Sequence, residues 1–248
     1  GEVLGEKRSA LITAAVTGRL DPVSGQIRDS AEGRGVRLKY VCSLYGDYGL
    51  NVSADDYIQD GIPIIRTSDF DDLGRLDLSN PKMISEDIAP SKMLRRGDVL
   101  FSRAGTVGRC TVYNNPRPST FASYLVRFRP KTSIADPRFI GWWAQSHQYW
   151  SQVRAGTIET TIGNFNAVRF GNLILPNVAL TVQRAIADFL DRKTATIDEL
   201  IEKTDASIDL WKEYRAALIT AAVTGQIDVT TWKGHTAHRP GAIGEAPK

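Results

Sequence analysis

The chain has 248 residues, enough for one large domain or for a domain with an extension, and its 42% apolar and 24% charged content is typical of a globular protein. Its net charge of +3 is too small to indicate a partner. No apolar run approaches the ~18 residues of a membrane span, no signal-like region opens the chain, and two distant cysteines predict neither a metal site nor a disulfide framework. We therefore expect a soluble, cytoplasmic protein.

One segment of fourteen residues occurs twice. Residues 8–21, the first copy, read RSALITAAVTGRLD, and residues 215–228, the second copy, read RAALITAAVTGQID, with eleven identities at an offset of 207. This period is far too long for a solenoid and indicates a module repeated in a longer parent protein. Since the chain starts at Gly1 and contains only Met83 and Met93, we expect it to begin inside something larger or to have been processed.

The N-terminal segment has the pattern of a short helix. Ala, Leu and Ile recur from Glu6 to about Thr17, and Gly18 stands where a helix C-cap is expected. Gly, Ser and charged residues follow, as in a linker. The pattern predicts a helix end within residues 1–22 and a linker over residues 23–35.

The middle of the chain, residues 36–176, has the pattern of a small β-rich domain. The predicted strands, separated by Gly, Pro and Asn turns, lie at residues 62–66, 98–102, 109–113, 123–129 and 173–175. Asp136 and Pro137 have the chemistry of an N-cap and a first turn, and they predict one helix over residues 138–154. The aromatic side chains of this helix are spaced to pack in a core rather than to stack on bases.

The C-terminal segment predicts one long amphipathic helix. From Thr181, a candidate N-cap, to Thr224 there is no Pro or Gly, and apolar residues recur at spacings of three and four before Gly225 ends the pattern. A helix of this length reaches roughly 66 Å and cannot bury its apolar stripe on the middle domain alone, so a partner helix is implied. The residues predicted to face that partner are Ile197, Ile201, Ile208, Trp211 and Leu218. Residues 229–248 are predicted to be disordered.

Charge is unevenly distributed along the middle of the chain. Residues 55–87 contain nine acidic and three basic residues, whereas residues 92–170 contain twelve basic and three acidic ones. Most of these cations are arginine, whose guanidinium makes bidentate contacts with phosphates and guanine edges. The stretch therefore fits either a DNA-contacting surface or a solvated basic face.

Two polar loops are candidates for DNA contact. Gly105 and Gly108 border a turn whose Arg and hydroxyl neighbours can reach phosphates or base edges, although a tight hairpin turn would look the same. Residues 157–169 contain Thr and Asn, and Asn reads adenine but also forms turns. The predicted DNA contacts are Arg103, Thr106, Arg109, Thr160, Thr161, Asn164, Asn166 and Arg169.

Catalytic chemistry has little support. One of the three histidines lies in the aromatic helix and two lie in the C-terminal tail, and no nucleophile–base pair is evident. Residues 69–80 depart from a calcium loop, because Leu73 stands at the fifth position and Asn80 at the twelfth, where a bidentate Glu belongs. We therefore predict no catalytic residue, no metal and no cofactor.

Four parts of the chain together resemble the specificity subunit of type I restriction–modification systems. They are residues 61–85 (from GIPIIRTSDF to LDLSNPKMIS), 94–110 (LRRGDVLFSRAGTVGRC), 172–176 (NLILP) and 185–228, which is similar to the spacer helix of that family. The resemblance implies an α+β fold. Residues 36–176 would form a target-recognition domain, and residues 177–228 a spacer and dimerisation helix packed in an antiparallel coiled coil.

The resemblance also implies a function. A non-catalytic specificity subunit reads double-stranded DNA, holds modification subunits that methylate adenine with S-adenosylmethionine, and joins a restriction subunit that adds ATP-dependent cleavage. This chain has one recognition domain instead of two, so it corresponds either to the C-terminal half or to a natural half-length subunit that forms a homodimer through its long helix. A coiled-coil assembly protein whose middle domain binds protein, and a nuclease or methyltransferase with an unrecognised site, remain as alternatives.

Overall fold

The computed structural model describes residues 2–26, 35–158 and 165–227. It divides into two units, Gly1–Glu199 and Leu200–Lys248. No helix within the described ranges is both long and apolar enough to cross a membrane.

Several predictions concern residues outside the described ranges. They are most of the linker at residues 23–35, the tail at residues 229–248, and the candidate contacts Thr160, Thr161 and Asn164.

The fold is α+β, as predicted. The described strands are β1 (Gly35–Arg37), β2 (Cys42–Tyr48), β3 (Ile62–Ile65), β4 (Lys82–Ile84), β5 (Val99–Ser102), β6 (Cys110–Val112), β7 (Thr120–Phe121), β8 (Leu125–Pro130) and β9 (Ile174–Pro176). The described helices are α1 (Glu2–Val16), α2 (Pro137–Trp143), α3 (His147–Ile158), α4 (Ala167–Asn172) and α5 (Leu180–Val223).

The strands form three sheets. An antiparallel sheet has the order β2-β8-β5-β6, a mixed sheet has the order β4-β3-β7 with β3 and β7 parallel, and β1 pairs with β9. All four residues of β5 are buried, because both faces of the central sheet are covered. Val99 and Phe101 join the cluster formed with the helices, whereas Leu100 joins a second cluster on the other face. This is why β5 reads as a continuous apolar run.

Aromatic rings fill the space between the central sheet and the helices. The Phe101 ring lies 5.4 Å from Phe128, 5.0 Å from Phe170 and 6.1 Å from Tyr149, and Trp143 lies 5.0 Å from Tyr149 between centroids. All five side chains are fully buried. The core role predicted for the aromatic helix therefore holds for Trp143, while its neighbouring tryptophans are half-buried.

The single helix predicted over residues 138–154 is wrong, because the structure has α2 and α3 there. The Asp136 N-cap is confirmed, since its carboxylate accepts a 2.8 Å backbone hydrogen bond in the first turn. The break follows α2, where the Ser146 hydroxyl donates to the Trp143 carbonyl at 2.7 Å and accepts from the Tyr149 amide at 3.2 Å. A serine competing locally for backbone groups ends one helix and begins the next without Gly or Pro to mark the position.

The helix of the first copy is part of the core of the unit Gly1–Glu199. Ile12, Ala15, Val16 and Leu20 are buried in the main cluster, together with residues of α2, α3 and the beginning of α5. The first copy thus packs on this domain as an integral helix.

The unit Leu200–Lys248 contains the second half of α5. The predicted 44-residue helix is confirmed, but it begins at Leu180, so Thr181 is a helix residue and not the N-cap that the sequence predicted. Large apolar side chains along this half are exposed, among them Trp211 at 69% and Val223 at 82%. Of the residues predicted to face a partner helix, the first two, Ile197 and Ile201, are half-buried, whereas Ile208, Trp211 and Leu218 are exposed.

Candidate nucleic-acid interface

Residues 103–109, which we call the glycine turn, connect β5 to β6. The Ser102 amide donates to the Arg109 carbonyl at 2.8 Å, and the Gly108 amide donates to the Ser102 carbonyl at 2.9 Å. Gly105 and Gly108 have φ of 74° and 93°, which L side chains rarely adopt. The predicted turn is therefore present, and its two glycines are required by its backbone.

Helix α3 braces the glycine turn from the core side. The buried Tyr149 hydroxyl donates a 2.7 Å hydrogen bond to the Gly108 carbonyl. A Cβ at Gly108 would lie 2.8 Å from the Trp150 ring and 3.0 Å from Val153. The turn thus has a backbone fixed by packing, with its tip free to present side chains. Thr106 is at that tip and is exposed.

The beginning of α4 contacts the glycine turn directly. The Phe165 amide donates to the Arg103 carbonyl at 3.1 Å, so the two loops that the sequence predicted as DNA contacts meet. Asn166 is the N-cap of α4, where its Oδ1 accepts from the Arg169 amide at 3.0 Å. The Arg169 guanidinium donates to the Gly156 carbonyl of α3. Both residues therefore also have structural roles at this end of the domain.

Arg103 is held against an aromatic ring. Its guanidinium lies 4.9 Å from the centroid of Tyr48, and its Nη1 donates to the Ser123 carbonyl at 3.4 Å. The Tyr48 hydroxyl accepts from the Ala167 amide at 3.1 Å, so the ring is itself fixed by α4. Cation–π stacking of this kind orients a guanidinium plane.

Two exposed tyrosines, Tyr48 and Tyr124, lie beside this arginine, and the sequence did not predict them. Tyr45 and Tyr48 lie on β2, and Tyr124 precedes β8. Their exposed fractions run from 38% to 60%, and the Tyr124 carbonyl accepts from the Arg103 amide at 2.9 Å. Tyrosine hydroxyls are common donors to phosphate oxygens. The signal available was the density of tyrosine in residues 40–48, where Gly46 interrupts the alternation of a strand.

Arg109 has a different environment from Arg103. Its guanidinium forms an ion pair with Asp72, and it lines a cavity of about 610 Å³ with the acidic segment 68–77. The carboxylate of Asp72 is largely exposed, so the pair is at the protein surface. The strongly acidic stretch of the sequence thus meets one of the predicted DNA contacts.

Several other arginines of the basic stretch stabilise the fold. Arg129 makes a bidentate pair with the buried Asp98 at 2.6 and 2.7 Å, and this hydrogen bonding raises the pKa of Arg129. Arg127 pairs with Asp47, and Arg138 contacts two carboxylates of α5 at 2.8 and 2.9 Å. The excess of basic over acidic residues in residues 92–170 therefore overstates the charge available to an anionic partner, because these cations are neutralised within the domain.

Metal and nucleophile chemistry finds no assembled site among the described residues. No cluster of three or more His, Cys, Asp or Glu side chains is arranged there to hold a metal ion. Cys42 and Cys110 are buried free thiols, and burial raises the pKa of Cys42 to about 12 and that of Cys110 further. Such thiols are inert rather than nucleophilic.

The described residues thus combine a β-rich domain, a braced glycine turn and a long C-terminal helix. Residues 36–210 match the family model described as the type I restriction modification DNA specificity domain, and the chain belongs to that family. The resemblance seen in the sequence is thereby confirmed.

Two curated relatives are similar over most of this chain. The type I restriction enzyme StySPI specificity subunit of Salmonella potsdam is 23% identical over 195 residues, which are 77% of this chain and 41% of that subunit. The EcoBI specificity subunit of Escherichia coli is 23% identical over 183 residues, which are 73% of this chain and 38% of that subunit. The chain thus spans about two fifths of the length of these relatives.

Solved structures support the same fold. The HsdS subunit from Thermoanaerobacter tengcongensis aligns with a TM-score of 0.58 and 23% identity over 91% of this chain and 54% of its own. A chain from a structure on complex assembly and conformational transition of the type I R-M system aligns with a TM-score of 0.64 and 21% identity, over 89% of this chain and 53% of its own.

Proposed function

We propose that this chain recognises one half of a bipartite DNA sequence as the specificity component of a type I restriction–modification complex. The observation that carries the proposal is the junction of the glycine turn with the beginning of α4, beside an arginine stacked on Tyr48. Family membership supports DNA as the ligand.

Each predicted contact has a proposed role. Arg103 is positioned to contact a base edge or phosphate with an oriented guanidinium, and the exposed Thr106 hydroxyl adds a donor at the tip of the turn. Asn166 caps α4, and Arg169 links α4 to α3 through the Gly156 carbonyl. DNA contacts of these two residues remain predictions. Arg109 would have to exchange Asp72 for a phosphate oxygen, which costs part of the binding energy. Thr160, Thr161 and Asn164 stay predicted contacts.

The long helix would act as spacer and assembly surface. The exposed apolar side chains of its second half support pairing with an antiparallel helix, either in the longer protein or in a homodimer. Modification and restriction subunits would dock on that scaffold in the cytoplasm, and they would supply the methylation of adenine and the cleavage of DNA. This chain would contribute recognition and no catalytic group.

A binding experiment on the full chain tests DNA recognition. Duplexes enriched from a random library are titrated against the wild type and against Arg103→Ala, with Arg96→Ala as the matched control. Arg96 is an exposed arginine before β5, whereas Arg103 follows β5 at its other end. Arg103→Ala removes a base contact and is expected to lower the affinity for the enriched duplex by about 10- to 100-fold. Arg96→Ala is expected to change this affinity less than about 3-fold.

Two results would refute the proposal. One is a library from which no sequence is enriched at any salt concentration, which would favour the protein-binding alternative. The other is an equal loss for both variants, which would reduce the contribution of Arg103 to bulk charge. Cleavage or methylation by the purified chain alone would overturn the non-catalytic assignment.

A further inference from the structure

The ion pair of Arg109 differs from those of Arg127 and Arg129 in the position of its acidic partner. The carboxylates that pair with Arg127 and Arg129 are 19% and 0% exposed, whereas that of Asp72 is 79% exposed. Arg109 itself lies at the end of the glycine turn, and its side chain is 24% exposed. Because an ion pair so open to solvent contributes little to stability, a role in binding explains it better than a role in folding.

Asp72 lies in the turn of a hairpin formed by residues 69–77, which we call the acidic hairpin. The Asp77 amide donates to the Asp69 carbonyl at 2.8 Å, and the residues directly inside this pair form an antiparallel bridge. The backbone around Asp72 is therefore closed on both sides, and the position of its side chain is defined by the hairpin.

The acidic hairpin is fixed against β6. The hydroxyl of the buried Thr111 donates to the Gly74 carbonyl at 2.8 Å. Gly74 has φ of 75°, and a Cβ at this position would lie 2.4 Å from the Cys110 carbonyl oxygen. Since β6 begins directly after Arg109, the contacts that hold the hairpin also hold Asp72 beside the Arg109 guanidinium.

Two other carboxylates of the acidic hairpin have local partners. Asp69 accepts from the guanidinium of Arg66 at 2.6 Å, and Asp71 accepts from that of Arg75 at 2.7 Å. These partners are three and four positions away in the chain, whereas Asp72 pairs with the glycine turn, 37 positions away. Asp72 is thus the carboxylate that the hairpin presents to the candidate DNA interface.

The atoms that form the ion pair decide what Arg109 can still bind. Asp72 accepts from Nε, on one edge of the guanidinium. A guanidinium carries five N–H donors in a fixed fork, so the two terminal nitrogens keep donors at its end. Two such donors match O6 and N7 of guanine in the major groove. A phosphate is attracted chiefly by net charge, which Asp72 cancels, so the pair favours a guanine edge over a phosphate.

We propose that Asp72 is a specificity-determining residue that orients Arg109 to read a guanine. The inference rests on the proposed recognition of DNA and adds one base to it: the half-site of this chain contains a G·C pair whose guanine contacts Arg109. Asp72 keeps its ion pair in the complex, so the contact avoids the exchange that a phosphate would require. Asp72 is a positioning residue, since it acts through Arg109.

Binding of the full chain to matched duplexes is the experiment. Each G·C pair of the duplex enriched from a random library is replaced in turn by A·T, and discrimination is the ratio of the two affinities. The pair read by Arg109 is the one at which Arg109→Ala abolishes discrimination. The wild type is expected to discriminate about 5- to 150-fold at this pair, and Asp72→Ala less than about 3-fold.

The same substitution is expected to change non-specific binding in the opposite direction. A duplex without the enriched sequence should bind about 2- to 10-fold more tightly to Asp72→Ala than to the wild type, because Arg109 is then available to a phosphate. The slope of log affinity against log salt should become steeper by about one. A merely structural role of Asp72 would weaken both kinds of binding together.

Asp77→Ala is the matched control for charge. It removes one carboxylate from the same hairpin, but that carboxylate accepts from the Ser79 amide at 2.8 Å and not from Arg109. Discrimination at the contacted pair is expected to stay within about 2-fold of the wild type. Arg109→Lys is the second variant, because it keeps the charge and loses the planar fork, and it is expected to lose discrimination at the salt slope of the wild type.

Wild-type discrimination by Asp72→Ala would overturn the inference, and so would an equal loss in Asp77→Ala or an enriched sequence in which no G·C pair depends on Arg109. In each of these cases an enriched sequence exists, so DNA recognition would stand. A library without any enriched sequence would overturn both. Should Asp72→Ala fail to fold, Arg109→Lys decides, since full discrimination by this variant excludes a bidentate contact with guanine.

Discussion

Substituting Gly108 by alanine tests whether α3 braces the glycine turn. The change has two costs. Any L side chain at φ 93° pays about 1–2 kcal/mol of backbone strain, and the new methyl would lie 2.8 Å from the Trp150 ring and 3.0 Å from Val153. Overpacking of that kind costs about 1–3 kcal/mol, so the expected loss of unfolding free energy is roughly 2–5 kcal/mol.

Gly105 is the matched control, because it lies in the same turn. Its φ of 74° is also left-handed, but nothing lies within 4 Å of the position that its Cβ would occupy. Gly105→Ala therefore pays only the backbone strain of about 1–2 kcal/mol. The gain from restricting the unfolded chain is the same for both substitutions and cancels in their difference.

Urea denaturation of the full chain measures the comparison, with tryptophan fluorescence as the probe because Trp150 lies at the perturbed contact. With a slope of about 3 kcal/mol per molar urea, Gly108→Ala is expected to lower the midpoint by about 1 M and by more than Gly105→Ala does. A shift for Gly108→Ala no larger than that of Gly105→Ala would refute the bracing of the turn by α3.

Three further predictions follow from the core and the repeat. Tyr149→Phe leaves the carbonyl of the glycine turn without its buried donor and is expected to cost about 1–3 kcal/mol in urea unfolding; a cost below ~0.5 would contradict the bond. Arg8→Ala removes two hydrogen bonds of a buried guanidinium and is expected to cost about 2–3 kcal/mol, whereas Arg215→Ala, which is exposed in the isolated chain, stays within about 0.5, and equal costs would contradict their different environments. Burial raises the pKa of Cys42 from 9.0 to about 12 and raises that of Cys110 as well, so the folded state keeps protons that the unfolded state loses. This contribution to stability is complete below pH 9 and is lost as the pH rises from 9 towards 12; both thiols should resist alkylation at pH 8 until the chain unfolds, and rapid alkylation of the native protein would contradict their burial.

The regular elements were predictable where one periodicity runs without interruption. The central strand β5 reads as an apolar run, β8 alternates apolar residues with Arg127 and Arg129, and α5 reads as 44 residues without a helix breaker. Strand β2 was missed because Gly46 and Asp47 interrupt its alternation, and its pairing with β8 contains register shifts at that point. The break between α2 and α3 was missed because only the contacts of Ser146 reveal it.

The candidate interface was partly predictable. Residues with the required chemistry could be recognised in the glycine turn and in residues 157–169, and the structure joins these segments through Arg103 and Phe165. The ion pair of Arg109 with Asp72 could not be predicted from the sequence, because the two residues are 37 positions apart and only the fold brings them together. In the same way, only the fold brings Tyr48 and Tyr124 next to Arg103.

The repeated segment separates what the sequence determines by itself from what only the tertiary structure decides. Identity of residues determined that the two copies are equivalent segments with the same helix and the same glycine ending. Only the tertiary structure decided that Ile12 is buried and Ile219 exposed, because burial depends on the surfaces that meet a helix and not on the residues it contains.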